Sequence, residues 1–449
     1  RLHPCTRANR SPDAVDAEPA PAPRGLATRA RSLAATKVFR DTGWSMVAEI
    51  AGMISQFGTL VLIAREFGAE LYGVFAGTVA FMHVISPVTT VGMGYVVMQR
   101  VAGERHDPDT EAGRAFATVV LGGIAGMVVV LATSRLLLPQ VPIRVLLALS
   151  LGELIFTQIT FTGRFVAQSM DRPATGAQVT ATVWMLRLLA AVVFILVVPR
   201  TTLAGWAYFH VSSSIVGAVL TLIVLGRVLP LRPRVGMARG IDVRQGLGYS
   251  LTIGATYLKN DADKTLLLTF EKDTAAGIYN LAYRVIVPLY VPVRAIADST
   301  FARFFRDGSR SARDALRLAR RTTMIGAAFT FVGGLVLVAC APILPHLLGD
   351  DYRDAVTATR WLAFVPFLVT FQMYSFNALL GLGRRRACVA VTIASSALNI
   401  ALNLALIPRY TWRGSTVATI VSETLSAIAL WTMLVRAAAR HGDAVISAT

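Results

Sequence analysis

YLKNDADKTLLLTFEKDTAAGIYNLAYR, Tyr257 to Arg284, is the stretch on which the fold turns. It starts as an apolar helix, yet Asp261, Asp263 and Lys264 lie inside it. It turns over at EKDTAAG and enters a second apolar helix that carries Arg284. A charged side chain at membrane depth costs about 2.5–3.5 kcal/mol on an insertion scale, and it faces a bundle interior or a water-filled path rather than lipid. The stretch predicts a helical membrane bundle with a polar cavity, and a cargo that is itself charged.

The rest of the chain agrees. Its 449 residues are 54% hydrophobic and only 16% charged. The charge falls in short clusters between long uncharged runs, the pattern of a multi-pass membrane protein. The net charge of +18 would suggest nucleic acid in a soluble protein. Here the basic residues sit in loops, where they hold helices against an anionic cytoplasmic leaflet, so no nucleic-acid partner is expected. Nearly all of them are arginine; the lysines are Lys37, Lys259, Lys264 and Lys272. Cys5, Cys340 and Cys388 fit neither a disulfide framework nor a metal spacing. There is no GxxxxGK[ST] loop to cradle ATP phosphates. Neither a cofactor nor a catalytic residue is expected. Residues 1–40 are rich in Pro, Ala and Arg and lack the apolar core of a cleavable signal, which predicts a disordered basic cytoplasmic tail.

A helix rises 1.5 Å per residue, so about 20 apolar residues cross a hydrocarbon core of roughly 30 Å. Twelve segments qualify as spans: 44–64, 73–93, 115–138, 142–163, 175–198, 202–227, 246–270, 275–302, 321–348, 354–381, 387–407 and 412–435. Pro288 and Pro292 interrupt the eighth and predict a bend there. With the N-terminus inside, the inner loops hold clusters such as Arg232, Arg234, Arg239 and Arg244, and Arg384 to Arg386. The outer loops hold single residues such as Arg65, Arg200 and Lys272. This asymmetry predicts both termini cytoplasmic.

The chain also repeats itself. REFGAELYGVFAG (Arg65 to Gly77) matches FEKDTAAGIYNLA (Phe270 to Ala282), with Gly73 and Phe75 aligned to Gly277 and Tyr279. PRTTLAG (Pro199 to Gly205) matches PRYTWRG (Pro408 to Gly414) at a similar offset. The expected organisation is an all-α membrane protein in two pseudo-symmetric six-helix halves, 41–229 and 246–437. A linker at 230–245 joins them, and a short cytoplasmic tail follows at 438–449.

The FGAELYGVFA turn, the DADKTLLLTF and EKDTAAGIYNLAYR segments, the GLGRRR loop (Gly381 to Arg386) and the PRYTWRG turn stand at matching places in twelve spans. Over roughly residues 40–437 the chain thereby resembles the Wzx-type polysaccharide flippases of the MATE-like multidrug/oligosaccharidyl-lipid/polysaccharide superfamily. The two extra spans usual in the lipid II flippase branch are missing. The resemblance implies a bacterial inner-membrane protein that flips or exports an undecaprenyl-diphosphate-linked oligosaccharide, such as an O-antigen or capsule unit. That cargo would serve cell-surface polysaccharide or lipopolysaccharide synthesis. It implies alternating access driven by H+ or Na+, contact with membrane lipids, and work alongside glycosyltransferases and a polymerase. A drug or cation antiporter of the same superfamily is the alternative. A membrane glycan polymerase or ligase fits less well, because the outer turns are short.

Within that frame Arg187, Lys264 and Arg284 are expected to bind substrate in a cationic cavity, since a guanidinium can hold phosphate with two prongs. Asp263, Glu423 and Glu153 are expected to couple an ion or proton, since a dehydrated carboxyl can carry a proton. Arg187 and Glu153 admit a second reading, a mutual ion pair between spans four and five. Glu423 has no obvious partner in the sequence. Arg294 and Asp298 read as a pair one helical turn apart, and Glu49 as near enough the inner face to snorkel. His83 and His210 could titrate, but a lone histidine in a span reads first as a packing residue.

Overall fold

The computed structural model describes the backbone of residues 24–446 except Pro230 and Glu271. It describes the side chains of 43–439, apart from those two and 252, 253, 256, 298, 302 and 307–310. The expected tail over 1–40 lies outside the described residues as far as residue 23, and from Arg24 onward the chain is helical. At the other end the last helix runs to Ile446, through most of the expected tail at 438–449.

Every regular element among the described residues is helical. Among the described residues, eight helices are long and apolar enough to cross a membrane. Two of them, Gly43–Thr89 and Arg385–Ala439, are 47 and 55 residues long, enough for two crossings each. Each is broken near its middle. Gly68 (φ 65°, ψ 178°) turns the first, a backbone conformation that glycine adopts without a Cβ clash. Thr411 (φ 52°) turns the second, just past Pro408, where a threonine is strained. The remaining two crossings are Gly240–Thr269 and the pair Asp273–Ile286 and Tyr290–Arg310. These hold the charged stretch, which is why apolarity alone does not select them. The result is the twelve-span bundle that the sequence predicts.

Pro288 lies in a 3-10 turn, Val287–Leu289, that breaks span eight where a bend was expected. Span four contains a π-helical turn, Leu151–Phe156, which carries Glu153. The expected linker at 230–245 is shorter than predicted, because span seven already begins at Gly240.

The halves meet most tightly at the arginine-poor end of the bundle. There a Cβ on Gly73 would lie 1.8 Å from the Asp273 carbonyl oxygen, and one on Gly277 would lie 2.0 Å from that of Ala69. Only glycine permits this approach of the two backbones. Tyr72 donates to Asn280 (3.2 Å), Tyr352 to the Ala64 carbonyl (3.1 Å) and Thr269 to the Leu137 carbonyl (2.9 Å) at the same end. Spans eight to twelve pack on the first half mainly through Asp273–Ile286 and the turn around 344–352, also at that end. At the arginine-rich end the first half is tied chiefly to the start of span seven. There Arg100 pairs with buried Asp242, and Tyr249 donates to Gln99 (2.9 Å). The outer flanks of the bundle expose large apolar side chains such as Leu121, Val128, Leu196 and Phe329, the surface expected against lipid.

Candidate substrate cavity

Between the halves lies a cavity of about 150 Å³. Spans one, two, five and six supply most of its wall, and span eight closes it at its break with Arg284, Val287 and Pro288. Tyr72, Phe75, Trp184 and Trp206 give it an aromatic lining. Arg187, Arg284, His83 and His210 give it polarity.

Arg187 and Glu153 pair, and Arg187 also lines the cavity. A guanidinium nitrogen of Arg187 lies 3.0 Å from Glu153 Oε1. It also donates to Ser214 Oγ (2.9 Å) and Thr157 Oγ1 (3.3 Å), and the group stands 5.0 Å over the Trp184 ring. His210 Nε2 approaches the same Glu153 oxygen at 2.6 Å. A buried charge survives in apolar surroundings only when paired and hydrogen-bonded in this way. The π-helical turn sets Glu153 against spans two, five and six together.

Arg284 is different. It is exposed on the cavity wall and makes no ion pair among the described residues. Lys264, expected in the same cavity, does not reach its wall. It is buried, with Nζ 2.8 Å from Asp261 Oδ1, donating also to the Asn260 carbonyl and standing 4.2 Å over the Tyr283 ring.

The coupling candidates are likewise dispersed. Asp263 is buried, accepting from Tyr279 (2.5 Å), whose hydroxyl lies 2.9 Å from Thr419 Oγ1, and from the Lys264 backbone N–H (2.8 Å). Glu423, which the sequence leaves without a partner, has one: Lys259 Nζ at 2.9 Å. Gln372 lies between the two, and with its amide oriented to satisfy both it donates to Glu423 (2.7 Å) and accepts from Lys259 (3.2 Å). The correction has a simple cause. Spans seven and twelve pack on each other, and a long lysine stem reaches across the contact.

Glu49 does not simply snorkel; Arg164 pairs with it at 2.7 Å. Arg294 is exposed, while the Asp298 side chain lies outside the described residues. Three participants escaped sequence reasoning: Lys259, Asp261 as the partner of Lys264, and the contact of both histidines with Glu153. For Lys259 a signal existed, since it is one of four lysines and stands in the same apolar run as Lys264. Among the described residues no cluster of His, Cys, Asp and Glu could hold a metal ion.

A family model described as polysaccharide biosynthesis protein matches residues 38–306, more than half of the chain. The chain belongs to the polysaccharide biosynthesis protein family. No protein of curated function matches it in sequence. Its fold matches solved transporters. An inward-facing MATE family multidrug transporter of the MOP superfamily is 14% identical, with a TM-score of 0.75 over 89% of this chain and 99% of that one. The lipid II flippase MurJ, in an inward closed conformation, is 12% identical, with a TM-score of 0.66 over 87% of each chain. A MOP superfamily transporter from Pyrococcus furiosus, described as having a binding pocket whose reversed polarity suggests a different function, is 14% identical, with a TM-score of 0.58 over 88% and 92%. These likenesses fix the fold. This family member is therefore a multi-pass membrane protein with the architecture of MATE transporters and flippases.

Proposed function

We propose that the chain flips a lipid-linked oligosaccharide for cell-surface polysaccharide synthesis, and that the negative charge it handles is the diphosphate joining lipid to sugar. The observation that carries this is Arg284, a cation without an ion partner among the described residues, on the wall of a cavity whose lining holds no carboxylate among the described residues, while Glu153 is already held by Arg187 and His210. An exporter of cations would need the opposite, an acid left free at the wall. Moving a diphosphate through a low-dielectric core is prohibitive without compensating charge. Arg284 and Arg187 provide it, and two separated cations still allow release. The aromatic lining gives the sugar rings apolar faces to lie against, while the lipid tail stays in the bilayer.

In this reading the halves 41–229 and 246–437 alternate about the cavity, and the arginine-rich end is cytoplasmic in a bacterial inner membrane. The backbone-to-backbone contacts of Gly73 and Gly277 lie at the opposite, arginine-poor end. Cavity charge binds and releases; no bond is made or broken by the protein. The glycan is supplied by glycosyltransferases and consumed by a polymerase.

The test is surface glycan display in cells whose chromosomal copy carries Arg284→Ala or Arg284→Lys, with membrane protein levels measured in parallel. Ala should abolish display and Lys should keep part of it. Normal display by the Ala variant would remove Arg284 from substrate handling and with it the cationic-cavity reading.

A further inference from the structure

His83 stands between two charge clusters from different spans. Its Nε2 lies 3.6 Å from Glu153 Oε2, and its Nδ1 lies 4.0 Å from Asp261 Oδ2. Each carboxylate has its other oxygen occupied: Glu153 Oε1 by Arg187 and His210, Asp261 Oδ1 by Lys264. The two remaining oxygens thus fall on opposite sides of one imidazole. Neither distance is a hydrogen bond. The ring is a quarter exposed and lines the cavity, so protons can reach it.

A neutral imidazole carries one N–H and can donate to only one of these carboxylates, whereas an imidazolium donates to both. We propose that His83 is a proton-operated bridge joining the Glu153 cluster of the first half to Asp261 of span seven, and so the group through which protonation selects between conformations. This rests on the proposed transporter reading and adds to it a coupling residue outside the set Asp263, Glu423 and Glu153. When His83 binds a proton, two charge-assisted contacts pull span seven onto spans two and four. When it releases the proton, one carboxylate loses its donor and span seven is freed to move with span twelve, against which it also packs.

The surroundings set the direction of the effect. Span four presents Glu153, span seven presents Asp261 and Tyr257, and these favour or tolerate the cation. Lys264 on span seven, Arg187 on span five, His210 on span six and Arg284 on span eight oppose it. Lys264, Arg187 and His210 each already hold one of the two carboxylates. The second proton-dependent contact therefore decides the balance, and acid should favour the conformation described here.

The experiment needs no substrate. Spin labels at Arg172→Cys and Arg384→Cys, both exposed at the arginine-rich end, are placed in the full chain freed of its native cysteines and reconstituted in nanodiscs. Pulsed-dipolar distances are recorded between about pH 5 and about pH 8, the range in which a histidine ordinarily titrates. The wild-type background should show two inter-half distance distributions that exchange weight between acid and base. His83→Gln should show one distribution at all pH values, and His83→Lys, a permanent cation, should hold the acid-like distribution throughout. His83→Asn serves as a second neutral variant should Gln not fold. A pH-dependent shift that survives in the neutral variants, or a wild type with none, overturns the proposal. Because distances are read without glycan, failure here is distinct from failure of the flippase reading, which the Arg284 variants report.

Discussion

Gly73 and Gly277 meet backbone to backbone where the two halves close. Gly73 abuts the Asp273 carbonyl and Gly277 abuts the Ala69 carbonyl, and the offset that carries Ala69 to Asp273 also carries Gly73 to Gly277. The two contacts are images of each other about a pseudo-two-fold axis. The glycines that reveal the repeat in sequence are the ones that build the seal between its copies.

Gly73→Ala and Gly277→Ala should therefore weaken that seal. The added methyl meets main-chain atoms, which no rotamer change relieves, so the cost should be at least the roughly 1–3 kcal/mol of an overpacked core. Thermal unfolding in detergent is the measurement, and a lowered midpoint is the expected result. Variants as stable as the parent would show that the halves are not held at this contact.

Glu153 and Arg187 should behave as a unit in a double-mutant cycle. Glu153→Gln strands a buried guanidinium, and Arg187→Met strands a buried carboxylate, each at about 3–5 kcal/mol. The double variant should recover much of that stability without recovering transport. Additive losses would mean that the two groups do not stabilise each other in the membrane.

Asp263→Asn and Glu423→Gln are expected to impair glycan display at normal protein levels, and Glu153→Gln to impair it by more than its lowered protein level explains, because a coupling carboxyl must change state during the cycle. Lys259→Met should resemble Glu423→Gln, since the two form one pair. Full display in all three carboxyl variants would remove these groups from coupling.

Single cysteines at Arg313 and Arg353 should react with impermeant reagents from opposite faces of the membrane. Both positions are exposed, one at each end of the bundle. Labelling of both from the same face would overturn the orientation inferred from the arginine-rich loops.

Sequence by itself determined the spans and their pairing into halves. Hydrophobic run length, the prolines of span eight and the repeated glycines are local or periodic signals, and bilayer thickness converts them into geometry with little freedom. The second repeat shows the limit. Thr202 and Thr411 are equivalent in PRTTLAG and PRYTWRG, yet Thr202 caps span six by accepting from Gly205 (3.1 Å), while Thr411 itself takes the non-helical backbone that separates spans eleven and twelve. Which charges meet was decided only by tertiary structure. Glu423 found Lys259, Lys264 turned to Asp261 rather than to the cavity, and His83 came to rest between Glu153 and Asp261. The reason is that a buried charge must have a partner, but long side chains allow several, and helix rotation and packing choose among them.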